Sequence, residues 1–412
     1  MIELDGIVAA SERVRGVIRA TPVDRAASLS AVAGRQVILK PEHLQRTGSF
    51  KIRGAYNHIS RLPAGVDVVA ASAGNHAQGV ALAAALTGRT ATIFMPRGAA
   101  LPKVAATRSY GAVVRLEGDD VDDCISLAAA FAAETGARLV PPFDDLDVIA
   151  GQGTLGLELL AEAPEAEVIV VPVGGGGLLA GVAAAVALGA GETVGTGGPR
   201  GGGRPAPRVV GVEAAGAPTL IRALAAGHPV QLERVSTMAD GIAIRACSEL
   251  TLALAQKYVE DVVTVDEEEI SAAMVLLVER AKAVVEPAGA TALAALLAGR
   301  VGGSGPVVAL LSGGNVDPLL LIKLIDHGLS AAGRYLVLRV VMPDRAGALA
   351  GLTAHIAALG LNVIDVEHHR SGRDLAVAEV EVHVTVETRD HAHHGEVLRS
   401  LASAGYRVEP VH

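Results

Sequence analysis

Four short segments hold residues whose types and spacing could do chemistry. In Ser49-Phe50-Lys51-Ile52-Arg53-Gly54-Ala55, Lys51 stands between two apolar residues just after a Thr47-Gly48 turn. An amine in a partly apolar pocket has a lowered pKa and can attack a carbonyl to form a Schiff base, although a lysine read alone is a solvated charge. Gly174-Gly175-Gly176-Gly177 follows an apolar run and precedes Leu178 and an Ala-rich stretch. Glycines there let backbone N–H groups and a helix N-terminus close on an anion such as a phosphate, or simply make a tight turn. Ser72-Ala73-Gly74-Asn75-His76 opens another helical stretch. Asn75 offers a donor and an acceptor, while His76 reads as a base or as a packing residue. Leu311-Ser312-Gly313-Gly314-Asn315 ends a strand-like run. A serine hydroxyl at a strand's C-terminal edge meets a ligand in open α/β sheets, or is a plain serine turn.

The elements that must position these segments follow from the periodicity. VILK (37–40), DVVAAS (67–72), TATIFMP (90–96), AVVRLE (112–117), EVIVVPV (167–173), RVVGVE (208–213), VVTVD (262–266) and VVALLSGG (307–314) read as strands separated by helical stretches. Such alternation implies parallel sheets in α/β layers, and strands apolar on both faces suit a covered sheet. Residues 188–207, dense in Gly and Pro, read as a surface loop. From about Gly333 the pattern becomes strand, helix, two strands joined at Ser371-Gly372-Arg373-Asp374, helix, strand, the βαββαβ order of a ferredoxin-like module.

The chain has 412 residues, room for two or three domains. Half are hydrophobic, but there are only four Phe, five Tyr and no Trp, so the core must be aliphatic. The net charge of −9 without a basic patch argues against nucleic acid and anionic membranes as partners. Cys124 and Cys247 follow no metal or redox spacing and read as reduced thiols of a cytoplasmic protein. Acidic residues at the start argue against a secretory signal. The uncharged stretch Val168 to Gly191 is long enough for a membrane span, but Pro172 and the glycine run break it into strand, loop and helix.

Taken in order, the four motifs resemble the fold type II pyridoxal-phosphate enzymes, the tryptophan synthase β-like family, and within it the threonine dehydratases. SFKIRGA is similar to the Schiff-base lysine segment and SAGNHAQG to the loop whose asparagine bonds the cofactor's phenolic oxygen. VGGGGL is similar to the phosphate loop, and LSGGN to the segment whose serine meets the pyridine nitrogen. The resemblance covers nearly all of residues 1–330. It implies a two-subdomain catalytic body over 1–330, with a smaller subdomain of about 48–150 inserted in the larger. It implies Lys51 as the catalytic residue. The cofactor residues would be Phe50, Lys51, Asn75, Gly174, Gly175, Gly176, Gly177 and Leu178, with Gly241 of ADGIAI, Glu286 of VVEPAGA, and Ser312. The implied activity is a threonine ammonia-lyase, with serine as second substrate.

Serine racemases resemble the same body but carry a second serine where this chain has Ala73, so a two-face proton transfer would lack a base. Of their metal ligands Glu213 is matched, but Thr219 stands in place of an aspartate, so no metal is expected there. His391, His393 and His394 read as a solvated helix face. A third reading is an idle amino-acid sensor, opposed by the intact Lys51, Asn75, glycine run and Ser312. Residues 335–412 resemble an ACT domain. Met342 to Leu349 is similar to its effector loop, and Asn362 lies at the next strand. That implies a homo-oligomer, dimer or tetramer, controlled by an effector such as isoleucine or valine.

Overall fold

The computed structural model describes residues 2–190, 205–331, 333–370 and 375–411. Most of the loop expected at 188–207, and the turn at 371–374, lie outside the described residues. The chain divides into two compact units, Met1–Pro318 and Leu319–His412. The first holds ten strands: β1 (Asp24–Arg25), β2 (Val37–Lys40), β3 (Val68–Ala71), β4 (Ala91–Met95), β5 (Val113–Leu116), β6 (Arg138–Leu139), β7 (Val168–Pro172), β8 (Arg208–Ala214), β9 (Asp261–Val265) and β10 (Val307–Leu310).

These strands form two sheets. One has the order β1-β2-β10-β7-β8-β9, parallel except for the short antiparallel β1. The other has the order β5-β4-β3-β6 and is wholly parallel. The chain therefore leaves the larger sheet after β2, builds the smaller one, and returns at β7. Strands β2, β4, β7 and β10 are buried at every position, which explains their predominantly apolar sequences. The eight strands expected from sequence all form. The two-residue β1 and β6 are too short to show a pattern.

The scarcity of aromatics is met by close helix packing. Helix Leu146–Glu162 lies against helix Gly177–Gly189, and a Cβ on Gly153 would fall 2.9 Å from the carbonyl oxygen of Gly181. Glycine at this position lets the backbones approach where a side chain would hold them apart. The described part of the uncharged stretch, Val168 to Ala190, resolves into β7, the glycine loop and that buried helix. Among the described residues no helix is long and apolar enough to cross a membrane.

The second unit holds β11 (Tyr335–Pro343), β12 (Val363–His369), β13 (Glu379–Glu387) and β14 (Arg407–Val411) in an antiparallel sheet of order β12-β13-β11-β14. Helices Ala348–Ala358 and His391–Ser403 complete the βαββαβ order. The alternating residues Leu336, Leu338, Val340, Met342 on β11 and Val380, Val382, Val384, Val386 on β13 are buried in one core with Leu352, Ile356, Val397 and Leu401 from the helices. The residues between them on β11 and β13 face the other side of the sheet and are partly exposed.

Candidate active site

The site lies at the C-terminal ends of parallel strands, where open α/β sheets place ligands. Lys51 is the first residue of helix Lys51–Ile59, and its Nζ donates to the carbonyl oxygen of Pro142 at 3.0 Å. The same amine lies 5.2 Å from the centroid of the Phe50 ring. Desolvation lowers the Lys51 pKa to about 8, and the negative charge of Glu286 partly offsets that fall. A primary amine with this value has a substantial unprotonated fraction near neutral pH.

The lysine segment is tied to the Ser312 segment by backbone. Phe50 N donates to Ser312 O at 3.1 Å, Gly314 N donates to Gly48 O at 2.9 Å, and Ser49 bridges to Gly313. Asn315 adds a side-chain tie: its Nδ2 donates to Thr47 O and to Asn75 Oδ1, both at 2.7 Å. Thr47 has φ of 62°, a left-handed conformation unusual for a β-branched residue. This left-handed turn and one asparagine thus aim the lysine into the cavity.

Asn75 begins helix Asn75–Leu86, and its Nδ2 donates to Glu286 Oε1 at 2.5 Å. Glu286 precedes Pro287, the first residue of helix Pro287–Leu297, and is almost wholly buried. Burial, and then the charge of Asp240, push its pKa up to about 7. Gly241 stands against this pair, where a Cβ would lie 3.0 Å from Ala288 Cβ and 3.5 Å from Glu286 Oε1. His76 is buried and donates through Nε2 to Val140 O at 2.9 Å. Desolvation, and then the Lys51 charge, hold its pKa down at about 3. It is a neutral packing group, not a base.

The four glycines turn between β7 and helix Gly177–Gly189, with φ of 89° at Gly176. A Cβ on Gly174 would sit 3.0 Å from Ile242 Cα, one on Gly177 would sit 2.8 Å from Phe143 Cβ, and one on Gly175 would fall on the Phe143 ring. Glycine is therefore required by packing as well as by its N–H groups. Phe50, Lys51, Asn75, Gly174, Gly175, Gly176, Gly177, Leu178, Gly241, Glu286 and Ser312 line one narrow cavity of about 60 Å³, together with Pro142, Phe143, Ile242, Ile244 and Ala288. A phosphorylated aromatic aldehyde fits this donor set: a desolvated amine for the aldehyde, a side-chain-free loop at a helix start for the phosphate, and neutral Ser312 beside apolar walls.

Sequence reasoning missed Phe143, Asn315, and the ion pairs that span the cleft. Lys103, on helix Leu101–Ser109, pairs with Asp240, and Arg245 pairs with Asp122 at 3.1 Å. A surface Lys or Asp carries no signal of its partner. Asn315, at the end of LSGGN, was in view, and its role shows only in three dimensions. Glu213 is spent internally: it accepts from Thr219 Oγ1 at 2.9 Å, Leu220 N at 2.7 Å and Ile221 N at 3.0 Å, capping helix Thr219–Ala226.

Comparisons with known proteins show what the chain is similar to. The pattern described as "Pyridoxal-phosphate dependent enzyme" matches residues 14–313, and that of the ACT domain matches residues 336–405. An L-threonine ammonia-lyase of Thermotoga maritima is 43% identical over 415 residues, covering 100% of both chains. The crystal structure of a T.th. threonine deaminase shares 41% identity with a TM-score of 0.70, covering 76% of this chain and 99% of that one. A maize serine racemase structure shares 35% identity with a TM-score of 0.71, covering 80% of this chain and 98% of that one.

Proposed function

This chain belongs to the pyridoxal-phosphate dependent enzymes and carries an ACT domain after its catalytic body, and we propose that it is a threonine ammonia-lyase. It converts L-threonine to 2-oxobutanoate and ammonia, with L-serine as a second substrate. The water lost in the elimination is regained when the released enamine hydrolyses, so the net products are the oxo acid and ammonia alone. The observation that carries the reading is the desolvated Lys51 amine facing the four-glycine turn across one cavity.

When bound, pyridoxal phosphate supplies an electron sink for the pair left at the substrate's α-carbon. Lys51 would hold it through its aldehyde, and Gly174 to Gly177 with the following helix start would receive its phosphate. With its amine free and unprotonated, Lys51 would take the α-proton on its Nζ. Asn75, braced by Glu286 and Asn315, orients the ring. Ser312, on the cavity wall, would offer the ring nitrogen a neutral hydroxyl rather than a carboxylate, which would leave the electron sink shallow. A shallow sink favours prompt loss of the β-hydroxyl over side reactions. Phe50, Phe143 and Leu178 keep water from the α-carbon.

Ala73 supports lyase over racemase. The loop before Asn75 offers Ser72, whose Oγ accepts from Gly74 N at 3.1 Å, and then a methyl group where a racemase needs its second base.

The ACT domain binds an amino-acid effector, which we assign as isoleucine or valine. Asp344 and Asn362 stand at opposite ends of the sheet: Pro343 pairs with Glu379, whereas Glu387 N donates to Asn362 O at 2.9 Å beside Tyr335. They cannot share a ligand within one copy. In this sheet β12 is an edge strand, with Val363, Ile364 and Val366 all exposed. Antiparallel pairing of two such edges brings the loop of one copy to Asn362 of the other, which supports a dimer or a tetramer built from dimers.

The test is to incubate the purified holoenzyme with L-threonine or L-serine, with and without isoleucine or valine, and follow 2-oxo acid and ammonia. No product from either substrate sinks the lyase reading, and D-serine as the main product replaces it with the racemase.

A further inference from the structure

His369 and His383 are fourteen positions apart, and nothing in their spacing marks them as partners. The strand register brings them together. On β12 and β13, Glu367 stands opposite His383 and His369 opposite Glu381. A bulge between Val363 and Asp365 sets this register. Without the extra residue, Val366 would face His383 and His368 would face Glu381. Bulges re-aim side chains in this way. Because alternate residues of a strand share a face, the four side chains form a two-by-two patch on the side of the sheet away from the helices.

The donor atoms of Glu367, His369 and His383 all lie within 4.8 Å of one another. The two imidazole rings are 5.2 Å apart between centroids. His383 Nε2 lies 2.8 Å from Glu381 Oε1, and His369 Nε2 lies 3.4 Å from Glu367 Oε2. A tetrahedral ion with bonds of about 2.0–2.2 Å needs its ligand atoms roughly 3.4 Å apart, within reach of small side-chain rotations here. Of the nearby carboxylates, Glu381 and Glu409 bond Arg339, the cross-strand neighbour of His383, whereas Glu367 pairs with His369 and carries the negative charge a cation would meet. Two imidazoles with one carboxylate suit zinc, nickel or cobalt rather than calcium or magnesium, which take oxygen ligands.

We propose that Glu367, His369 and His383 bind one divalent transition-metal ion of the zinc type on the open face of the ACT sheet, with Glu381 orienting His383 from outside the ligand shell. Carboxylates commonly hold ligating histidines in this manner. Water completes the coordination. The ion ties the C-terminal half of the edge strand β12 to β13.

Full-length holoenzyme stripped with a chelator is titrated with Zn²⁺ by calorimetry, and separately with Co²⁺ followed by its visible d–d absorption. One ion per chain is expected, with affinity in the micromolar range or tighter. His369→Ala and His383→Ala each weaken binding by about 100-fold or more, and Glu381→Gln weakens it about 10-fold. His368→Ala, next door on the opposite face, leaves it unchanged. The substituted side chains are surface groups, and thermal unfolding without metal checks that each variant folds. Absence of a one-to-one site, or equal binding by wild type and both histidine variants, overturns the proposal.

Discussion

Asn75 Nδ2 donates to Glu286 Oε1 at 2.5 Å, and Glu286 is the charge that partly restores the basicity Lys51 loses to desolvation. Cofactor capture reads this relationship directly, since only the unprotonated amine attacks an aldehyde. Adding pyridoxal phosphate to apoenzyme should give a capture rate that rises tenfold per pH unit and levels off above about 8. In Glu286→Gln the raising influence is gone, so the midpoint moves below 8. Stopped-flow absorbance across pH 6–10 measures both, and a midpoint that stays put in the variant refutes the coupling.

The glycine turn is held to glycine by Phe143 as much as by phosphate chemistry. Gly175→Ala puts a methyl group on the Phe143 ring. Overpacking of this kind costs about 1–3 kcal/mol. The expected result is a lower Tm and a cofactor affinity weakened roughly 10- to 100-fold. Phe143→Ala in the same chain should return most of the Tm, because the clash is with that ring. Gly175→Ala without the second change should do no harm if the turn has slack, and a Tm equal to wild type would show that.

Arg53 lies two residues from Lys51 and is wholly buried. It bonds Glu42 through Nε at 2.8 Å and Nη2 at 2.9 Å, and Glu158 through Nη1 at 2.6 Å and Nη2 at 3.0 Å. Lys40 Nζ adds contacts of 2.7 Å to Glu158 and 3.0 Å to Glu162. Arg53→Met leaves the fully buried Glu42 carboxylate without its cation, a loss of about 3–5 kcal/mol. Chemical denaturation should show it. The Glu158 pKa is held below its usual value by Arg53 and Lys40 against the opposing effect of burial. A depressed carboxylate stabilises the fold above its unfolded pKa, and that contribution is lost as pH falls below about 4.5. The stability gap between wild type and Arg53→Met therefore narrows on acidification.

Much of this was readable in the sequence because the signals were local. Three of the four motifs directly follow a strand, and β-branched runs with glycine stops mark such ends without knowledge of the fold, while the lysine segment is marked by the Thr47-Gly48 turn before its helix. Phe143 and Arg53 were unreadable for the opposite reason. Phe143 matters through a glycine 32 positions away, and Arg53 through carboxylates on two other elements. The ACT-like module was read from its strand alternation, yet the bulge that pairs Glu367 with His383 adds one residue to a strand whose alternation looks regular on paper.

The ion pairs across the cleft should act on substrate entry rather than on chemistry. Lys103 and Asp240 join helix Leu101–Ser109 to the segment before the cavity residue Gly241, and Asp240 is largely exposed. Exposed pairs contribute about 0.2–1 kcal/mol. Lys103→Met should raise KM for threonine no more than about 5-fold and leave kcat within about 2-fold. The wild-type KM should rise with salt and that of the variant should not, since screening weakens only the pair that is still present.

Ser312 separates a binding role from an electronic one. If the proposed placement holds, replacing it by Asp would set a carboxylate against the ring nitrogen and keep that nitrogen protonated, which would deepen the electron sink. Carbanion character should then persist longer before the hydroxyl leaves. The expected outcome is a new long-wavelength absorption band during turnover, a kcat reduced about 10-fold or more, and a larger share of side products for each oxo acid formed. Ser312→Ala keeps the site neutral and should retain kcat within a few-fold, losing only cofactor affinity. If Ser312→Asp and Ser312→Ala behave alike, in rate and in spectrum, the charge at this position is irrelevant and the hydroxyl serves only to hold the ring.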